Sequence, residues 1–366
     1  MNRVYLDHNA SAPLRPESAA AMTAAMALRG NPSSIHGEGR AMRAVVEDAR
    51  ADVAALAGCD PASVIFTSGA TEANAMAMKR SPGPVAAALI EHPSILENIG
   101  DFREIASIPD GSIDLNALQT LMEGPEAIAT VAVMAANNET GVMQPVAEAA
   151  GLCRAHGAHL HVDAVQHAGK ADLSEVWPHC DSMSVTAHKI GGPTGVGALI
   201  VRDPGDWPAL IAGGGQEQRL RCGTENVPGI AGFGAAAKAA AQEADGWTDV
   251  RDRRDRLEAA MRDAVPEIRV IGGAARRLPN TSCTAVPGVP SSLMTMRLDL
   301  AGIAISAGSA CASGKVAASP VLSAMGVEDE LAQSAIRVSQ GPYTTDGDID
   351  RFLSAWRETV AAKTAR

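Results

Sequence analysis

Ser182-Met-Ser-Val-Thr-Ala-His-Lys-Ile-Gly-Gly-Pro-Thr-Gly-Val-Gly197 is the stretch on which the fold is read. The run Ser182–Thr186 leads into Ala187, His188 and Lys189, and four glycines follow between Gly191 and Gly197. A β-prone run bounded by glycine and proline reads as a strand, so Lys189 stands just past a strand's carboxyl end. Glycines so placed let the backbone approach a neighbour closely. The lysine itself has two readings. It punctuates a surface turn, or it is a nucleophile whose ammonium, ordinarily near pKa of about 10.4, is destabilised by burial or nearby charge.

Working outward, the same grammar repeats. Short apolar or β-branched runs occur at 64–67, 85–90, 127–134, 159–163, 182–186 and 198–201, with helical periodicity between many of them, at 71–79, 116–122 and 146–156. A longer amphipathic helix is expected over 37–58, with Val45, Val46, Ala49, Val53 and Leu56 on one side. Alternating strands and helices predict a mostly parallel sheet covered on both faces. Past Ala241 the pattern changes to a charged helix over 247–264, short runs at 268–271, 283–286, 304–306 and 335–339, and a closing helix over 345–363. These predict a smaller α+β part. We therefore expect a large domain over 14–241 and a small one formed by 1–13 with 242–366.

Composition narrows the function classes. The chain has 366 residues, 46% of them hydrophobic, which is enough for a large core and unlike a disordered segment. A net charge of −11 argues against a nonspecific nucleic-acid or anionic-membrane surface. Neither a secretory leader nor an apolar run long enough for a spanning helix is evident, so a cytoplasmic location is expected. The six cysteines, at 59, 153, 180, 222, 283 and 311, show no C-x-x-C pair and no metal-ligand spacing. Most read as small core residues. Cys311 differs, because Ser306-Ala-Gly-Ser-Ala-Cys-Ala-Ser-Gly-Lys315 surrounds it with small residues, as in a loop.

In an α/β sheet, ligands gather beyond the carboxyl ends of the strands. Ser68-Gly-Ala-Thr-Glu-Ala-Asn74 follows the first run and opens a helix, where free N–H groups favour a phosphate; an ordinary helix capped by Thr71 is the alternative. Glu91-His92 and Asn137-Asn138-Glu139 follow the next two runs, His92 being readable also as a simple helix start. Asp163 ends another, as a carboxylate held by a cation, whether ligand or structural ion pair. Phosphate loop, strand-end carboxylate and glycine-flanked lysine together suggest a pyridoxal phosphate site.

The ordered motifs Tyr5-Leu-Asp7, Gly30-Asn-Pro-Ser-Ser34, Phe66-Thr-Ser-Gly-Ala-Thr-Glu72, Glu91-His92, Asn137-Asn-Glu139, His161-Val-Asp-Ala-Val-Gln166, Ala187-His-Lys189, Gly213-Gly-Gly-Gln-Glu217, Gly223-Thr-Glu-Asn226 and Gly308-Ser-Ala-Cys311 are similar to those of cysteine desulfurases. That family belongs to the fold type I, class V aminotransferase group of pyridoxal-phosphate enzymes, whose large domain carries a mostly parallel seven-stranded sheet. The resemblance implies that Lys189 binds the cofactor and moves the substrate Cα proton, that Asp163 pairs with the pyridine nitrogen, and that Gln166 and Asn138 meet the phenolic oxygen. It implies a phosphate cradle of Ala70, Thr71, Thr186 and His188, completed by Thr224 from a second subunit of a homodimer. His92 would lie over the ring as acid or base, and Arg337, with Asn138 nearby, would hold the substrate carboxylate. Cys311 would take sulfur from L-cysteine as a persulfide, leaving alanine, and pass it to acceptor proteins of iron–sulfur assembly or tRNA thiolation. No resident metal is expected, only a transient iron–sulfur contact at Cys311.

Four positions depart from the family's usual pattern. Thr186 stands where serine is common but keeps the hydroxyl, Gly191 replaces a frequent tyrosine, Cys222 a frequent serine, and Pro342 a common arginine. Two rival functions remain in view, a selenocysteine lyase or other class V enzyme, and a non-catalytic sulfur-carrier scaffold.

Overall fold

A computed structural model describes residues 3–243, 246–307 and 319–364. Cys311 and Lys315 lie outside the described residues. At the centre is a seven-stranded sheet in the order Val64–Thr67, Gly197–Val201, Ser182–Thr186, His159–Asp163, Thr130–Met134, Val85–Ala88, Phe102–Ile105. Gly197–Val201 runs antiparallel to both neighbours, and the remaining pairings are parallel. Six of the strands are buried along nearly their whole length, so Val85–Ala88, Thr130–Met134 and Gly197–Val201 read as apolar runs, while the polar positions of His159–Asp163 and Ser182–Thr186 are buried with their apolar ones. The edge strand Phe102–Ile105, sequence FREI, exposes its middle, and its polar centre hid it from the periodicity reading.

Register sets the strand ends level. Met134 pairs with Asp163, Asp163 with Ser184, and both Thr67 and Thr186 face Gly197. A glycine is required at 197, because a Cβ there would stand 2.8 Å from the Gly69 backbone and from the Val185 carbonyl.

Helices cover both faces. Gly37–Ala57 starts on His36, whose side chain accepts from the Gly39 N–H, and stops at Gly58 in the left-handed region, φ 67°. Its buried stripe of Val46, Ala49, Val53 and Ala57 has helical spacing. Two helices that the periodicity missed extend this layer: the Ala- and Gly-rich Val227–Gln242 packs against it, and Pro16–Met26 packs against Val227–Gln242. Small residues allow the close approach: a Cβ on Gly234 would lie 2.6 Å from Ala49 Cα.

A four-stranded antiparallel sheet, Ser306–Ala307, Ala335–Ser339, Thr281–Ala285, Arg269–Val270, forms the smaller layer. The expected single strand at 304–306 is instead two, since Ile303–Ala304 pairs with Val4–Tyr5 while Ser306–Ala307 joins the larger partner sheet. Leu6, Leu257, Met261, Leu298, Phe352 and Trp356 make the core beneath it. Asp7 bridges to Ser339, so the N-terminal segment passes from its pairing with Ile303–Ala304 to the edge of the four-stranded sheet's strand Ala335–Ser339. Among the described residues no helix is long and apolar enough to cross a membrane.

Candidate active site

The level strand ends enclose a cavity of about 420 Å³. Ten of the residues singled out in the sequence line it: Ala70, Thr71, His92, Asn138, Asp163, Gln166, Thr186, His188, Lys189 and Arg337. Thr224 does not, being exposed and away from the cavity of its own chain.

Lys189 sits in a single turn of 3-10 helix, Ala187–Lys189, just after its strand. Its Nζ donates to the carbonyls of Asn9 and Ala10 at 2.6 and 2.8 Å. Burial, reinforced by the Arg337 charge and opposed by Asp163 and Asp7, pushes the ammonium down to about 8. The surface-turn reading is thereby excluded. His188 makes a 3.4 Å contact through Nδ1 with Ser11 Oγ, and burial with the charges of Lys189 and Lys170 lowers it to about 4.

Asp163 is 7% exposed. Its Oδ2 accepts from Asn74 Nδ2 at 2.8 Å and its Oδ1 from the Val165 N–H at 3.0 Å, so both partners are neutral and the structural ion-pair alternative fails. Asn74 is held in turn: its Oδ1 meets Nε2 of buried His161 at 3.0 Å, and His161 Nδ1 meets Ser182 Oγ at 2.9 Å. An amide oxygen can only accept, so His161 carries its proton on Nε2. Burial holds that ring at about 3, hence neutral. Glu91, beneath, accepts from the Met134 N–H at 2.5 Å; burial first and Asp163 second raise its carboxyl well above the usual range.

His92 caps the short helix Pro93–Leu96, Nδ1 accepting from the Ser94 N–H at 3.1 Å, while its ring also lines the cavity. The helix-start reading of His92 thus holds, and the residue stands at the cavity as well. Burial lowers its pKa, against the pull of Asp163. Thr71, in contrast, is no cap: the helix Ala70–Arg80 begins after Gly69, which makes no side-chain cap bond. Its N-terminus opens on the cavity. Arg337 donates through NH1 to the Asn138 carbonyl at 2.9 Å and through NH2 to Asp7 Oδ1 at 2.8 Å, and its buried Nε has no partner among the described residues.

Sequence reasoning passed over Asn9, Asn74 and Lys170. Asn9 lay two residues beyond a quoted motif and Lys170 four beyond Gln166, but neither spacing announces a contact that depends on how the chain returns.

A sheet of this order, with a buried amine past one strand and a carboxylate held by neutral partners at the end of the next, defines the class: fold type I of the pyridoxal-phosphate-dependent transferases. The aminotransferase class-V family profile matches residues 4–352. A cysteine desulfurase of Cereibacter sphaeroides is 41% identical, with 96% of this chain and 94% of the relative covered. A NifS-like protein from Rickettsia africae superposes with a TM-score of 0.91 at 31% identity, over 98% of this chain and 100% of that one. A structure described as SspA in complex with cysteine gives 0.78 at 27% identity, covering 93% of this chain and 99% of that one. The chain belongs to the aminotransferase class-V family, among its cysteine desulfurases.

Proposed function

We propose that this protein removes sulfur from L-cysteine with pyridoxal phosphate as cofactor, leaving L-alanine and a persulfide on Cys311. The observation that carries the reading is Lys189, an amine lowered to about 8 inside the same cavity as Asp163 and Arg337.

Three features of the cavity fit the cofactor. Asp163 offers a carboxylate whose hydrogen-bond partners among the described residues are neutral, which suits a protonated ring nitrogen. The uncapped start of helix Ala70–Arg80, beside Thr71, Thr186 and His188, suits a phosphate. Lys189 Nζ is close enough to neutrality to act as a nucleophile. Gln166 and Asn138 complete the set at the phenolic oxygen, and Thr224 reaches the phosphate from a second copy of the chain.

When bound, pyridoxal phosphate supplies an electron sink for charge developing at the substrate Cα. The chain does the rest. Arg337 holds the substrate carboxylate with its planar fork, exchanging Asp7 for it. Lys189 Nζ removes the Cα proton, and His92 acts as acid or base beside the substrate amine. The Cys311 thiolate attacks the substrate sulfur; the Cβ–S bond breaks, an S–S bond forms, and protons returned to carbon complete alanine. Supporting a homodimer, Met26, Ile35 and Ile211 are 62%, 91% and 62% exposed, and exposed Thr224 does not line the cavity of its own chain. The persulfide then passes in the cytoplasm to acceptor proteins of iron–sulfur assembly or tRNA thiolation, with no nucleic acid or membrane bound directly.

The test is a paired assay of alanine and sulfide from L-cysteine, beside L-selenocysteine. Purified protein should show a visible cofactor band that Lys189→Ala abolishes. Cys311→Ala should keep the band and lose sulfide release, and parental sulfide release by that variant would refute the persulfide step.

A further inference from the structure

Lys170 is 4% exposed, and its Nζ donates to Gln166 Oε1 at 2.7 Å. A buried ammonium is ordinarily held by a carboxylate. Here the partner is a neutral amide, and burial together with Lys189 and Arg337 pushes the group well below the usual lysine range. The titratable and charged groups that face it are Lys189, Arg337, His8, His167 and His188. A lysine placed this way adds little to stability, so its position calls for another account.

Gln166 provides it. Its Nε2 donates to the Asn9 carbonyl at 2.9 Å, and the same carbonyl accepts from Lys189 Nζ at 2.6 Å. A carbonyl can only accept, so the NH₂ end of Gln166 must face Asn9 and the oxygen end must face Lys170. Lys170 satisfies that oxygen whether its nitrogen is charged or neutral, since either form donates. Lys170, Gln166, the Asn9 carbonyl and Lys189 therefore form one hydrogen-bonded chain from behind the cavity to its nucleophile. Gln166 lines the cavity and Lys170 does not.

We propose that Lys170 is a positioning residue for this reaction: its Nζ locks the Gln166 carboxamide with the N–H turned to the cavity, where it serves the phenolic oxygen of the cofactor. The inference rests on the cofactor reading above. A donor at that oxygen competes with the proton shared between the oxygen and the Lys189 nitrogen. Loss of the donor therefore raises the pH midpoint of the visible band.

The experiment titrates that band in the full-length holoenzyme. Lys170→Met should raise the midpoint by about one pH unit, a tenfold change in the ratio of the two forms. Gln166→Leu should shift it similarly, and the double variant should shift no further than Gln166→Leu alone. An unchanged midpoint in Lys170→Met, or two shifts that add, overturns the inference, because an effect of charge or packing alone would be additive. If Lys170→Met does not fold by circular dichroism, Lys170→Gln takes its place, keeping a donor without the charge. A midpoint within about 0.3 of the parent then supports the inference, and a full shift adding to that of Gln166→Leu overturns it. A parent protein with no visible band sinks the cofactor reading and this inference together, whereas a normal parent band with an unmoved variant sinks this inference alone.

Discussion

In cofactor-free protein Lys189 should titrate near pH 8, as burial and the Arg337 guanidinium dictate. The consequence for reactivity is large. At pH 7.5 an amine of pKa about 8 is roughly 24% neutral, against about 0.1% at the ordinary lysine value near 10.5, a gain of about 240-fold in the nucleophilic form. Because the folded value lies below the unfolded one, the folded chain binds fewer protons between about pH 8 and 10.5, and this group makes stability rise with pH across that window. Trace labelling with acetic anhydride from pH 6 to 10.5, read by mass spectrometry of the Lys189 peptide with exposed Lys79 as the reagent control, measures the midpoint directly. Arg337→Gln removes the largest charge that lowers Lys189 and should move the midpoint upward. A midpoint above about 10 in the parent, or one that ignores Arg337→Gln, would refute the electrostatic account of the nucleophile.

Gly191→Ala should destabilise the protein by about 1–3 kcal/mol in urea denaturation, because Gly191 has φ +86° and a Cβ there would meet Arg15 Cγ at 2.6 Å, displacing a guanidinium bonded to Ile190 O and Glu243; equal stability would show that the site can relax. Glu139→Gln tests a pH dependence. Burial raises the Glu139 carboxyl to about 7, outweighing the Ser319 hydroxyl and Arg337, so its protonated form contributes stability that is present below about pH 4.5 and lost as pH rises through 7. The variant should match the parent near pH 4.5 and exceed it at pH 8 by up to about 3 kcal/mol, and an equal difference at both pH values would contradict the assignment.

Why the large sheet could be read from sequence while its neighbours could not follows from burial. Val85–Ala88 and Thr130–Met134 are covered on both faces, so their sequences carry a near-continuous apolar signal that few loops imitate. Val227–Gln242 left no comparable trace. Its sequence VPGIAGFGAAAKAAAQ is apolar nearly all round because small residues pack it against Gly37–Ala57 and Pro16–Met26 at once, and a helix buried on several sides has little amphipathic contrast to detect. The break between Ala304 and Ser306 is likewise a tertiary event, set by which partner strand each pair of residues meets.

The site divides along the same line. Residues that follow a strand in sequence, such as Asp163 and Lys189, are found by locating the strand, since parallel register carries their ends to one edge. Residues that act from behind are joined to them only by the folded path. Lys170 reaches Lys189 through Gln166 and a carbonyl 157 positions away in the chain, and no spacing in the sequence encodes that return. The departure at Gly191 shows the same logic in reverse. Read alone it is a missing tyrosine; in the fold, Arg15 fills the space above it and ties it to Glu243, which also accepts from the Tyr343 hydroxyl at 3.1 Å. A larger residue at 191 would therefore have to displace a bidentate ion pair before it could contribute any contact of its own, and this is the physical reason the glycine suits this chain.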